Sequence, residues 1–104
     1  MPIILGVDDL RPLPQATRLA RTSGEGVLLL EEHRDLEIDE LWLDHDLGWD
    51  DSIMPVVALP EEAAFAGRPF RIGMVFVHSA NPGGAETVVR VLRRWNYRVR
   101  RAVA

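Results

Sequence analysis

Three short apolar runs in this chain each end in a cluster of chemically capable polar side chains, and this constrains the fold more than any other feature. Ile3 to Val7 runs into Asp8-Asp9, and Glu40-Leu41-Trp42-Leu43 runs into Asp44-His45-Asp46. Arg71 to Val77 runs into His78-Ser79-Ala80-Asn81. Short, nearly continuous apolar runs read as buried strands of the kind a parallel sheet contains. Ala16 to Arg21 and Tyr97 to Val103 alternate like two shorter strands.

Helical signals fall between these runs. Thr22-Ser23-Gly24-Glu25 has capping-box spacing with Thr22 as N-cap. It predicts a helix that carries Val27 to Leu30 and ends near His33, weakened by Gly24 and Gly26. Ser52 to Leu59 reads as a second helix, with Pro55 tolerated in its first turn. Pro60 is expected to break or kink it, and Glu61 to Ala66 to add a turn or two. Asn81 as N-cap and Pro82 at the first helical position open the clearest helix. Ala85, Val88, Val89, Leu92 and Trp95 give that helix one apolar face, and Asn96 ends it. Arg11-Pro12-Leu13-Pro14 leaves no room for a helix between the first two strands.

The resulting order is strand, strand, helix, strand, helix, strand, helix, strand. It predicts an α/β fold with about five mostly parallel strands, covered on both faces. Ligands of such sheets bind at the carboxyl ends of the strands, which is where the three polar clusters arrive.

Composition bounds the function. The chain has 104 residues and a net charge of −4, a length that fits one domain spanning residues 1–104. It has no cysteine, which excludes disulfides and thiolate metal sites. The acidic balance argues against nucleic acid as a general partner. The opening apolar run is too short for a signal peptide and has no basic leader. No stretch approaches the roughly 20 apolar residues of a membrane span, so the expected location is the cytoplasm. All 12 basic residues are arginine, and there is no lysine. Residues 31–62 hold twelve acids and one arginine, whereas residues 90–101 hold six arginines and no acid. Two solvated faces account for this split. The sharper reading is a docking face for a protein partner over Arg90 to Arg101, or self-association of opposite patches. Trp42, Trp49 and Trp95 read as core or rim packing before base-stacking platforms.

The polar clusters carry the chemistry. Asp8 and Asp9 are adjacent, so in an extended chain they point to opposite sides. With Asp44, and with Asp46 beside it, they form an oxygen-rich set that suits a hard divalent cation, Mg²⁺ or Mn²⁺. The plainer alternative is solvated turn residues. His45 lies between two carboxylates that favour its charged form, which makes it a candidate general acid. The plainer alternative, and the usual one for a lone histidine, is a structural hydrogen bond. His78 ends an apolar strand and is a candidate to activate water or protonate a leaving oxygen. His33 needs only the dipole of the helix it ends. Asn81-Pro82-Gly83-Gly84 offers backbone amides to an anion, most commonly phosphate. No GK[ST] follows, so it is not a Walker loop.

Two resemblances attach to these residues. The acidic pair Asp8-Asp9, Asp44 after the third strand and Ser79-Ala80 after the fourth resemble the response-regulator receiver. This implies a receiver-like (flavodoxin-like) three-layer sandwich, with its first helix reduced or missing. Receivers hold a phosphoryl group with a lysine at the end of the fifth strand. This chain has none, which disfavours Asp44 as a phosphoryl acceptor. The stretches Val7-Asp8-Asp9-Leu10-Arg11-Pro12, Leu43-Asp44-His45-Asp46-Leu47-Gly48 and Val77-His78-Ser79-Ala80-Asn81-Pro82 are more closely similar to the cyclic-phosphate-processing receiver family, with its DDxRP, LDHDLG and HSANP motifs. That resemblance implies a receiver-like sheet whose site is rebuilt with histidines for hydrolysis.

The resulting expectation is a metal-dependent phosphoesterase that opens a cyclic nucleotide or related cyclic phosphodiester. Asp8, Asp9, Asp44 and Asp46 would hold the metal. His45, His78 and Asp44 would act in catalysis. Ser79, Asn81, Gly83, Gly84 and Arg11 would bind phosphate. The alternative is a catalytically silent module that binds a phosphorylated ligand or a protein partner in signalling.

Overall fold

In a computed structural model, which describes residues 1–79 and 81–102, every expected element forms. The order is β1 (Ile4–Val7), β2 (Arg18–Ala20), α1 (Ser23–Glu32), β3 (Glu37–Asp44), α2 (Met54–Phe65), β4 (Arg71–His78), α3 (Pro82–Arg94) and β5 (Val99–Arg101). The strands make one five-stranded sheet in the order β2-β1-β3-β4-β5, and each neighbouring pair is parallel.

This order decides where the helices go. Crossovers between parallel strands are right-handed. The steps from β2 to β3, β3 to β4 and β4 to β5 run the same way across the sheet, so α1, α2 and α3 fall on one face. There α1 packs on α2, and α2 on α3. The step from β1 to β2 runs the opposite way and places its connection, residues 8–17, on the other face. The prolines at 12 and 14 keep that connection a loop. The α/β class and five-stranded parallel sheet are as expected, as is the missing first helix. The third layer of the sandwich is correspondingly thin: among the described residues, the β1–β2 loop covers the second face without a helix.

The core lies under the three helices. Leu5, Val7, Leu41, Leu43, Val75 and Val77 of the sheet are fully buried against Leu30, Val56, Val57, Val88 and Leu92. Gly26 lets α1 approach closely. A Cβ there would lie 2.8 Å from a Val56 methyl and 3.0 Å from a Val7 methyl. The residue that weakens the isolated helix therefore permits its packing. Thr22 caps α1 by accepting from Glu25 N at 3.1 Å. The reciprocal arm reaches one residue further back, since Glu25 Oε1 accepts from Arg21 N at 2.9 Å.

The alternate residues of the strands face the thinly covered side. Leu19, Gly6, Trp42, Phe76 and Arg100 form one register row from β2 to β5. Trp42 stacks on Phe76 with ring centroids 4.3 Å apart.

Several boundaries differ from expectation. β2 shortens to Arg18–Ala20, and α2 starts at Met54 rather than Ser52. β3 begins at Glu37 rather than Glu40, because Asp39 ties it to the chain start. Its N–H donates to Ile3 O, and its carboxylate accepts from Ile3 N at 2.7 Å. The helix α2 runs unbroken through Pro60. The buried Tyr97 hydroxyl donates to Pro60 O at 2.7 Å and accepts from Phe70 N at 3.1 Å. That latch joins α2, the start of β4 and the approach to β5. Finally, β5 spans three residues, and Val103 lies outside the described residues.

Candidate active site

The carboxyl ends of β1, β3 and β4 lie side by side, so the residues that follow or close them meet. Asp8 follows β1, Asp44 closes β3, and His78 closes β4 as the register partner of Asp44. The next position past β5 is Ala102, whose N–H donates to Val77 O at 2.9 Å. This is where a receiver would present its lysine; here a methyl group stands beside the site.

Asp8 is the one buried charged residue among those described, at 3% exposure. Its Oδ1 accepts from Leu10 N at 3.1 Å and Arg11 N at 2.8 Å. This Asx-type turn fixes both the carboxylate and the start of the β1–β2 loop. Arg21 braces the same loop by donating to the carbonyls of Asp8 and Arg11. Asp8, Asp9 and Asp44 each present an oxygen, and these three atoms lie within 4.8 Å of one another.

Crowding of carboxylates has an electrostatic consequence. The Asp44 carboxyl is pushed up from 3.8 to about 6, first by burial and then by the charge of Asp8. A hydrogen bond from Asp46 N opposes the rise, while the charges of Asp9 and Asp46 add to it. Like charges gathered in a half-buried place disfavour one another, and a divalent cation relieves that repulsion. The donors are all carboxylate oxygens, which fits Mg²⁺ or Mn²⁺.

Burial holds His78 below the ordinary imidazole value. Arg11 adds to that shift and Asp8 opposes it. Its Nδ1 is buried with no hydrogen-bond partner among the described residues. Such a group is costly unless a ligand or water completes it.

Two connected hollows meet at these side chains. The smaller, of about 60 Å³, is backed by Leu13, Trp42 and Ala102. The wider, of about 340 Å³, is rimmed by Asp9, Leu10, Asp46 and Gly48. Asp8, Arg11, Asp44 and His78 line both. The result is a cleft with an apolar back and an acidic mouth, and the mouth falls within the usual size range of small-ligand sites.

The structure thus gathers Asp8, Asp9, Asp44, Asp46, His78 and Arg11. His45, Ser79, Asn81, Gly83 and Gly84 line neither hollow, and Ala80 lies outside the described residues. The expectation that two histidines share one cavity is corrected. Successive residues at a strand end point to opposite sides, and His45 turns toward the helix layer. Its ring occupies the space where a Cβ on Gly84 would sit, 2.6 Å from Nδ1, and Nδ1 pairs with Asp46 Oδ1 at 2.9 Å. The amides at the start of α3 are also partly used. Asn81 Oδ1 accepts from Gly84 N at 3.2 Å, and Asn81 O accepts from Ala85 N. Leu10, Arg21, Gly48 and Ala102 escaped the sequence reading. Only Gly48 carried a signal, as the last residue of the LDHDLG stretch. The six C-terminal arginines divide between α3 and the β5 region, and Arg93 is tied to Val99 O at 2.8 Å.

Fold and site together define a receiver-like α/β domain whose acidic strand-end cleft carries a histidine and an arginine and lacks the lysine. The cyclic-phosphate processing receiver domain family matches residues 3–94, and the chain belongs to that family. No curated protein and no solved structure gives a significant match. Among the described residues, no helix is long and apolar enough to cross a membrane.

Proposed function

We propose that this domain is a metal-dependent phosphoesterase that opens a cyclic phosphodiester. The supporting observation is the convergence of Asp8, Asp9 and Asp44 with His78 and Arg11 in one cleft. Asp8, Asp9 and Asp44 would hold Mg²⁺ or Mn²⁺, with Asp46 at the rim. When bound, such a cation neutralises phosphate oxygens as charge develops.

The remaining roles fall to the chain itself. Arg11 supplies a guanidinium to a non-bridging phosphate oxygen. His78, whose charged form burial disfavours, accepts a proton from the attacking water. The water oxygen bonds to phosphorus, one ring P–O bond breaks, and the protonated His78 returns the proton to the leaving oxygen. The product is a phosphomonoester with a free hydroxyl. His45 acts at one remove, by holding Asp46 and the first turn of α3.

The test is ³¹P NMR of the purified protein with Mg²⁺ or Mn²⁺ and a panel of 2′,3′- and 3′,5′-cyclic nucleotides. Conversion to monoester that stops on chelation, and in His78→Gln, is the expected result. An unchanged panel under both metals would refute the hydrolytic reading. Binding without turnover would favour a silent ligand-binding module.

A further inference from the structure

One large aromatic side chain, on the residue after the cleft-lining Gly48, is left in water. Trp49 is 105% exposed. The other two tryptophans are engaged: Trp42 stacks on Phe76, and its Nε1 donates to Glu40. Trp95 packs edge-on to Phe65, and its Nε1 donates to Glu61. The rim or core packing expected of all three from the sequence does not apply to Trp49.

Its backbone is also in an unusual conformation. Trp49 has φ 48°, directly after Gly48 at φ 83°. A left-handed backbone is ordinary for glycine but strained for a bulky aromatic residue, and such strain concentrates at functional sites. The loop holds it firmly. Gly48 O accepts from Asp51 N at 2.9 Å, and Asp51 O accepts from Leu47 N at 3.3 Å. The Asp51 carboxylate in turn accepts from Ser23 N at 2.8 Å and from the Ser23 hydroxyl. The backbone that carries the indole is therefore held in place, which limits the loop-ordering cost on binding.

This loop adjoins the cleft. Gly48 lines the wide mouth, and so does Leu10, at 84% exposure. An acidic mouth thus has one exposed apolar side chain in its lining, Leu10 of the β1–β2 loop, with a second, Trp49 of the β3–α2 loop, one residue beyond the lining Gly48. A single exposed indole with one leucine is too small an apolar surface for a protein partner. It suits the flat ring of a small ligand whose phosphate lies in the cleft.

We propose that Trp49 is a stacking platform for the base of a nucleotide, so that the ligand of this cleft is a nucleoside cyclic phosphate rather than a base-free cyclic ester. The proposal rests on the cleft being the phosphate site described above. Base–aromatic stacking makes an alanine substitution cost about 5- to 150-fold in affinity.

The experiment compares adenosine 2′,3′-cyclic phosphate with glycerol 1,2-cyclic phosphate. Calorimetric Kd, or KM where turnover intervenes, is measured on the full chain with Mg²⁺. Trp49→Ala should weaken the nucleotide about tenfold or more and leave the glycerol ester within about twofold of wild type. Trp49→Phe should keep most of the nucleotide affinity. Trp49→Asn should bind as weakly as the alanine variant yet melt no lower than wild type, because asparagine tolerates a left-handed backbone. If Trp49→Ala weakens both ligands equally, or neither, the platform is overturned while the phosphate site stands. If wild type binds neither ligand, both readings fall together.

Discussion

Replacing Asp44 by asparagine should stabilise the metal-free protein at alkaline pH and do nothing for it in acid. Burial and the neighbouring carboxylates raise this carboxyl from 3.8 to about 6. Its folded value therefore lies above its unfolded one, and between about pH 4 and pH 6 the folded state binds more protons than the unfolded state. Stability accordingly falls as pH rises through that window, and the full penalty is present above it. Each tenfold change in proton affinity is worth 1.36 kcal/mol, which sets a ceiling of about 3 kcal/mol. The site opens to solvent on one side, and screening brings this to about 1–2 kcal/mol. In a domain of this size that corresponds to a Tm rise of roughly 5–12 °C. Asparagine keeps the oxygen that accepts from Asp46 N at 3.4 Å, so the comparison isolates the charge. Thermal melts in chelator at pH 4 and pH 8 read the effect. The variant should match wild type at pH 4 and exceed it at pH 8. Mn²⁺ should then stabilise wild type at pH 8 more than the variant. An equal gain at both pH values, or no gain at pH 8, would refute the repulsion argument.

Other perturbations test the packing and the site. Tyr97→Phe removes the hydroxyl that joins Pro60 O to Phe70 N. The buried groups left unpaired should cost about 1–3 kcal/mol in urea unfolding. Gly26→Ala should also lose about 1–3 kcal/mol through overpacking against Val56 and Val7, despite the better helix propensity of alanine; a gain would mean α1 sits further from the sheet. His78, followed by NMR, should titrate below 6.5, with Arg11→Gln moving it up and Asp8→Asn moving it down.

Much of the fold was readable because local and global signals agree. The apolar runs ending in acids and histidines are the central strands, and Asn81-Pro82 does open α3 with Asn81 Oδ1 accepting from Gly84 N. What escaped depends on partners distant in sequence. Pro60 looks like a helix breaker, yet α2 runs through it, packed between α1 and α3 and joined to Tyr97, 37 positions away. The first residues of β3 are mostly acidic, and their place is fixed by pairing of Glu37 and Ile38 with Arg71 and Ile72 of β4 and of Asp39 with Ile3. The three strand-end clusters were legible as a site, but the division within them was not. His45 is adjacent to Asp44 in sequence and turns to the opposite side, so proximity along the chain misled. Trp49 was read as packing because its solvent exposure and backbone strain depend on how the loop folds.

The register row from Leu19 to Arg100 makes the site unusually vulnerable to small changes in chain length. Asp44 and His78 share the strand parity of Trp42 and Phe76, whereas Leu43 and Val77 share that of the core. A one-residue deletion within β3 exchanges the two sets, because a strand's side-chain repeat is two. It would put Leu43 in the cleft and a carboxylate under α2. The chemistry and the hydrophobic core are thus written in one reading frame, and neither can slip without the other.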